Sequence, residues 1–193
     1  MSLAVPLDGG APDYCDPVLG WRVWHVVAAA REPRLVSVFR HAVWPHDDAL
    51  RAACTRRVFG IRPRHCRHGH TAPWPDCHCG IYATQAMAFS EYLDDYVRFL
   101  AGNLLKKRLL VFGRVSLWGR VVEHDLGWRA SHAFPERLFV IPGRVDTRTV
   151  EAAIRGLGRY GVPVTAFDSP SLAVSQVERQ ARAGEVGRGD AQA

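Results

Sequence analysis

The sequence predicts an α+β fold: a small, curved, mainly antiparallel sheet, barrel-like, with two or three helices and a metal-stapled loop. Three observations carry this prediction. Residues 109–124, LLVFGRVSLWGRVVEH, set Val111, Val115, Leu117 and Val121 on one face, with Gly113 and Gly119 at the same parity. Glycines inside such a strand mark bulges or bends, as at the corner of a small barrel. Two other stretches repeat their apolar residues at helical spacing, and residues 65–79 concentrate cysteine and histidine.

Taken in order, residues 1–18 are rich in Pro, Gly and Asp and form an N-terminal extension. One α+β domain follows over residues 19–175, with a Cys/His-rich loop at 54–80, and a disordered tail over 176–193, where apolar residues are few. Trp21 to Val27 and Leu35 to Phe39 are rich in strand formers. Pro45 to Asp48 reads as a turn opening a short helix from Ala49 to Cys54. Residues 83–100 read as a helix with Phe89, Leu93, Tyr96 and Leu100 on one stripe, ended by Gly102 and Asn103. Asp125 to Gly127 turns the long strand into a second one, Trp128 to Phe134, and Leu138 to Ile141 makes another. A helix from Thr147 to Tyr160 buries Val150, Ile154 and Leu157, Gly161 caps it, and Val162 to Phe167 is a last strand.

Composition narrows the classes. At 193 residues and 48% hydrophobic content the chain buries a core without disulfides, so its clustered cysteines need another explanation. No run of eighteen apolar residues occurs, and the first residues do not read as a secretory signal, which predicts a cytoplasmic location and no membrane. In that reducing setting, grouped cysteines point to a metal.

Residues 65–79, HCRHGHTAPWPDCHC, hold seven Cys or His, against five Cys and nine His in the whole chain. Zinc takes four such ligands in a tetrahedron. The preferred set is Cys54, His70, Cys77 and Cys79. Cys66 could displace either upstream member, and His65, His68 and His78 are spares; the alternatives are ordinary buried thiols at Cys77 and Cys79 with surface histidines, and an iron–sulfur centre on four cysteines. Gly80 lets the backbone turn, and Pro73 and Pro75 stiffen the approach. The spacing matches no zinc-finger pattern, and Pro75 to Cys79 resembles half of the zinc deaminase signature without its H-x-E. Four good ligands with no base predict a closed, structural site.

The net charge of +6 is unevenly placed: Arg51, Arg56, Arg57, Arg62, Arg64 and Arg67 fall within seventeen residues that contain no acid. Such a field attracts phosphate or an acidic protein partner, with a solvated basic face as the plain alternative. Trp21, Trp24, Trp118 and Trp128 fall in strands carrying Arg22, Arg120 and Arg129. Core packing is the preferred reading of each, and an exposed pair would favour stacking on nucleic acid. Glu123, His124 and His132 are the acid–base candidates for a small-molecule enzyme, at the end of the hairpin. The sequence thus favours a non-enzymatic zinc-stabilised binding protein with nucleic acid as first ligand, and a protein–protein adaptor or that enzyme as alternatives.

The run from Ala72-Pro73 through Cys77-His78-Cys79-Gly80-Ile81-Tyr82-Ala83, with Gly113 to His124, resembles a pattern shared by uncharacterised bacterial proteins. The likeness extends through Gly127 to Ala130 and Tyr160 to Val164. It implies an intact bacterial domain and assigns no chemistry. The glycine-punctuated strands also resemble small PUA-like or SH3-like barrels, an analogy that does not decide function.

Overall fold

The structure, a computed structural model, describes residues 16–27, 32–38, 42–56, 64–65, 70–86, 88–89, 92–93, 108–142, 145–169 and 171–179. Its framework is a long hairpin. β7 (Arg108–His124) and β8 (Gly127–Ile141) pair from Leu110↔Ile141 to His124↔Gly127. β1 (Val18–Val27) runs antiparallel to β7 from Val18↔Leu117 to Val27↔Arg108. β6 (Ile81–Thr84) pairs with β8 and touches β1 at Trp21↔Thr84, so β1, β7, β8 and β6 close a partial ring. Short strands extend it: β2 (Val36–Ser37) on β1, β3 (Leu50–Arg51) on β8, and β9 (Val164–Ala166) parallel to β8. β4 (Thr55–Arg56) and β5 (Arg64–His65) form a separate ribbon. The mainly antiparallel α+β expectation holds.

Curvature comes from two register shifts in the hairpin, at Arg114/Val115 and Trp118/Val121, beside the two glycines that the strand pattern singled out. Gly119 has φ +76°, and a Cβ there would lie 2.3 Å from Ser131 Oγ, so the bulge requires glycine. The other shift leaves Glu136 outside the ladder next to Pro135, which lacks the N–H a regular position would need. The two strands expected at 128–134 and 138–141 are therefore one, with the proline accommodated at its bulge.

The sheet buries both faces. One core holds Trp24, Leu35, Trp44, Val111, Val115 and Leu117 under helix α1 (Thr147–Leu157), which adds Val150, Ala153 and Leu157. Asp146 caps α1 by accepting a bond from Thr149 N–H at 3.0 Å. The other core stacks Trp21 on Phe89 (5.5 Å) and Phe112 on Phe139 (5.0 Å), with Leu93 and with Ala173 and Val177 of helix α2 (171–179). Ile154, expected in the core, is half-buried.

Three local expectations are corrected. Ala49–Cys54 is not helical: Leu50 pairs with Ala133, Arg51 with His132, and Ala52 N–H donates to Ser131 C=O at 2.7 Å. Pairing with the β8 edge outweighs a weak local helix preference. The helix expected from Ala83 starts later, since 81–84 is strand and the first helical bond runs from Phe89 N–H to Gln85 C=O. Tyr96 and Leu100 of its stripe lie outside the described residues. Finally, α2 carries order past residue 176, because Val177 is fully buried.

One buried hydroxyl ties the N-terminal half to α1. Tyr160 accepts a bond from Leu35 N–H (3.0 Å) and donates to Trp44 C=O (2.9 Å). Burial pushes its pKa up from 10.0 to about 12, against the pull of the Leu35 bond and the Arg34 charge. The fold holds the neutral phenol, so this contribution is complete below pH 10 and is lost as pH rises through about 12. Tyr160→Phe is expected to cost about 1–3 kcal/mol in urea unfolding at neutral pH, because two buried backbone groups lose their partner. The variant should also lose less stability than the parent on the way to alkaline pH.

Candidate metal centre

Four side chains from separate segments converge. Cys54 follows β3, on the stretch anchored by the Ala52–Ser131 bond; His70 lies within the loop; Cys77 ends a turn in which its N–H bonds Trp74 C=O at 3.0 Å; Cys79 is separated from β6 by Gly80 alone. Their ligand atoms all lie within 4.8 Å of one another. Cys54 Sγ is 3.7 Å from Cys77 Sγ, and Cys79 Sγ is 3.4 Å from His70 Nε2. The sulfur separation is far beyond the roughly 2.0 Å of a disulfide, and all three thiols are free. Cys79 is buried and the other three half-buried. This Cys₃His group is a candidate metal site.

The loop is built to hold that geometry. Gly80 takes φ +120° just after Cys79, where a Cβ would press on Pro73 and Arg129. Arg129 of β8 is buried and donates to the carbonyls of Cys77, Cys79 (3.2 Å), Pro75 (3.2 Å) and Trp74 (3.4 Å). One guanidinium thus serves four loop acceptors, of which Trp74 C=O also accepts from the Cys77 N–H. The sequence showed Arg129 only as a cation alternating with tryptophan; no spacing rule connects it to a loop fifty residues earlier.

Of the spare ligands, His78 is exposed and lies outside the group, and His65 stands on β5. Cys66 and His68 lie outside the described residues. Of the six arginines, Arg51 is exposed on β3, and Arg56 and Arg64 occupy opposed register positions of the ribbon. Arg57, Arg62 and Arg67 lie outside the described residues. Arg51 reaches Asp48 at 4.0 Å, an open ion pair between two exposed side chains that is worth little in water.

The acid–base candidates do not assemble. Glu123 pairs with Trp128 and His124 with Gly127, whereas His132 faces Trp118 further along the hairpin. Four residues of strand separate Trp128 from His132, roughly 13 Å.

Beside the metal group the surface is aromatic and basic. Trp74 and Trp118 are exposed; Trp21 and Trp24 are buried and Trp128 half-buried. Trp74 stacks on His70 at 5.6 Å with the Arg120 guanidinium 5.8 Å from its ring centre, and Trp118 stacks on His132 at 6.0 Å. Ser131 Oγ links the two halves, accepting from Arg120 N–H (3.0 Å) and bonding Trp118 C=O (3.3 Å) and His132 Nδ1 (2.9 Å). Trp74 escaped the sequence reading because it lies in the loop, away from the strands where tryptophan was weighed.

No protein-family model, curated protein or solved structure matches this chain. Among the described residues no helix is long and apolar enough to cross a membrane.

Proposed function

We propose that the chain is a non-catalytic binding domain in which a zinc ion on Cys54, His70, Cys77 and Cys79 fixes a surface for single-stranded nucleic acid. Zinc is supported by the donor set and its spacing. A tetrahedron with Zn–S near 2.3 Å and Zn–N near 2.0 Å has S···S edges of about 3.8 Å and S···N edges of about 3.5 Å. The pairs at 3.7 and 3.4 Å match those edges. Three thiolates and Zn²⁺ carry a formal charge of about −1, which the buried Arg129 guanidinium offsets. With four ligands and no carboxylate in the group, no coordination position is left for a reacting water, so the ion holds the loop in shape.

The nucleic-acid reading rests on one observation: two exposed tryptophans beside the metal loop, each in contact with a basic or imidazole side chain. Flat rings next to guanidinium groups offer bases a stacking platform and phosphates a counter-charge. Arg51, exposed on β3 opposite His132, adds charge.

Fluorescence anisotropy with a labelled oligothymidylate tests this. Binding should weaken with salt at a slope of several units in log K against log concentration. Trp118→Ala should cost about 1–3 kcal/mol of affinity, with zinc content and melting temperature unchanged. Absence of binding at low salt, or binding indifferent to salt, rejects nucleic acid and moves a protein partner to first place.

A further inference from the structure

A cavity of about 420 Å³ opens between β1, β6 and the β7–β8 turn, away from the exposed tryptophans. Trp21, Val23 and Phe89 supply apolar and aromatic walls, and Leu126, exposed on the turn, stands at its rim. Its size falls within the range of small-molecule sites, which join apolar walls to a few fixed polar groups.

Those polar groups are of one sign. Arg22 lines the cavity and is held in place: it donates to Tyr82 C=O and to Ser37 Oγ (3.1 Å), with its guanidinium 5.4 Å from the Trp44 ring centre. No aspartate or glutamate stands among the described lining residues. Glu123 and Asp125, the neighbours of His124, are exposed and line none of it. Burial raises the Tyr92 pKa, and the Arg22 charge opposes that rise. His124 also lines the cavity, its ring tilted against Tyr82 at 5.8 Å, and its Nε2 is buried without a hydrogen-bond partner. A buried imidazole nitrogen of this kind calls for a partner, and beside a fixed positive charge the favoured partner is an anionic acceptor.

We infer that this cavity binds a small aromatic carboxylate, its ring against Trp21 and Phe89 and its carboxylate accepting a hydrogen bond from His124 Nε2–H. Arg22 supplies the field that selects the anion, acting at a distance because its own bonds hold it to the sheet. The cavity shares Gly80 with the edge of the metal loop, while its lining contains neither a metal ligand nor an exposed tryptophan.

The test uses the zinc-loaded full chain with 2-naphthoate and its neutral analogue 2-naphthamide as probes, followed by calorimetry and tryptophan fluorescence. Naphthoate should bind one-to-one at millimolar concentrations or below, and the amide about tenfold more weakly or worse. His124→Leu should bring naphthoate down to the level of the amide while leaving the amide unchanged. Val38→Trp, which fills the cavity from its wall, should abolish binding of both; melting curves verify that each variant is folded. If neither probe binds, if both bind equally, or if either substitution in a folded protein leaves naphthoate binding intact, the assignment is overturned.

Discussion

Purified from a zinc-containing medium, the protein should carry close to one zinc per chain, and a strong chelator should lower its melting temperature by about 10 °C or more. The size follows from linkage: a ligand that occupies only the folded state adds its binding free energy to stability. The four ligands come from the stretch after β3 and from the loop before β6, so the ion joins parts of the chain that are apart in sequence. Cys79→Ser should be the most damaging single change, since that residue is the most buried of the group and only Gly80 separates it from β6. Cys77→Ser should follow, whereas Cys15→Ser, far from the other cysteines in sequence, should leave zinc content and melting unchanged. Metal-free protein with an unaltered melting curve would remove the zinc reading, and with it the fixed surface on which the proposed function depends.

Arg129 should come next in effect. Arg129→Leu takes the guanidinium donor from four carbonyls of the loop, Trp74 C=O alone keeping the Cys77 N–H, and removes the positive charge beside the thiolates. Bonds to a charged donor are worth about 1.5–3 kcal/mol each, but they share one side chain and the loop relaxes toward water, so the total should be about 3 kcal/mol. Melting should fall by roughly 6–12 °C. Zinc affinity, measured by competition with a chromophoric chelator, should drop about 10–100-fold, as it does when groups that orient metal ligands are lost. Arg129→Lys should restore part of the stability and less of the geometry, because an ammonium cannot reach several carbonyls in one plane. A variant with full zinc affinity and an unchanged melting temperature would show that the loop holds itself.

What could be read from the residues depended on how local its cause was. The β7 alternation is written in its own residues, and Val111, Val115 and Leu117 are buried as expected. Leu110 and Phe112 are buried too, on the opposite face, because helical segments cover that side; alternation alone cannot tell a half-buried strand from one covered twice. The ligand group was legible from density: Cys54 was chosen for proximity in sequence, and β3 delivers it although no helix does. Arg129 and Trp74 act through contacts made by folding, and their roles had no signature in spacing. His124 was noticed for its chemistry and assigned to a neighbourhood that the hairpin register breaks up, while the cavity it lines is closed by β1, which pairs far away in sequence.

The piecewise covering of β8 has a consequence for self-association. A fifteen-residue strand paired on one side only would offer a second copy a long template of open N–H and C=O groups. Here β6 covers 127–130, β3 covers 132–133 and β9 covers 138–140. The longest interval left over among the described residues, Phe134 to Arg137, contains Pro135, which has no N–H to offer, and the bulged Glu136, whose carboxylate lies 3.3 Å from Arg114. The widest gap in the cover therefore falls where the strand is least able to recruit another, and the short strands on β8 act as guards against edge-to-edge aggregation as much as members of the sheet.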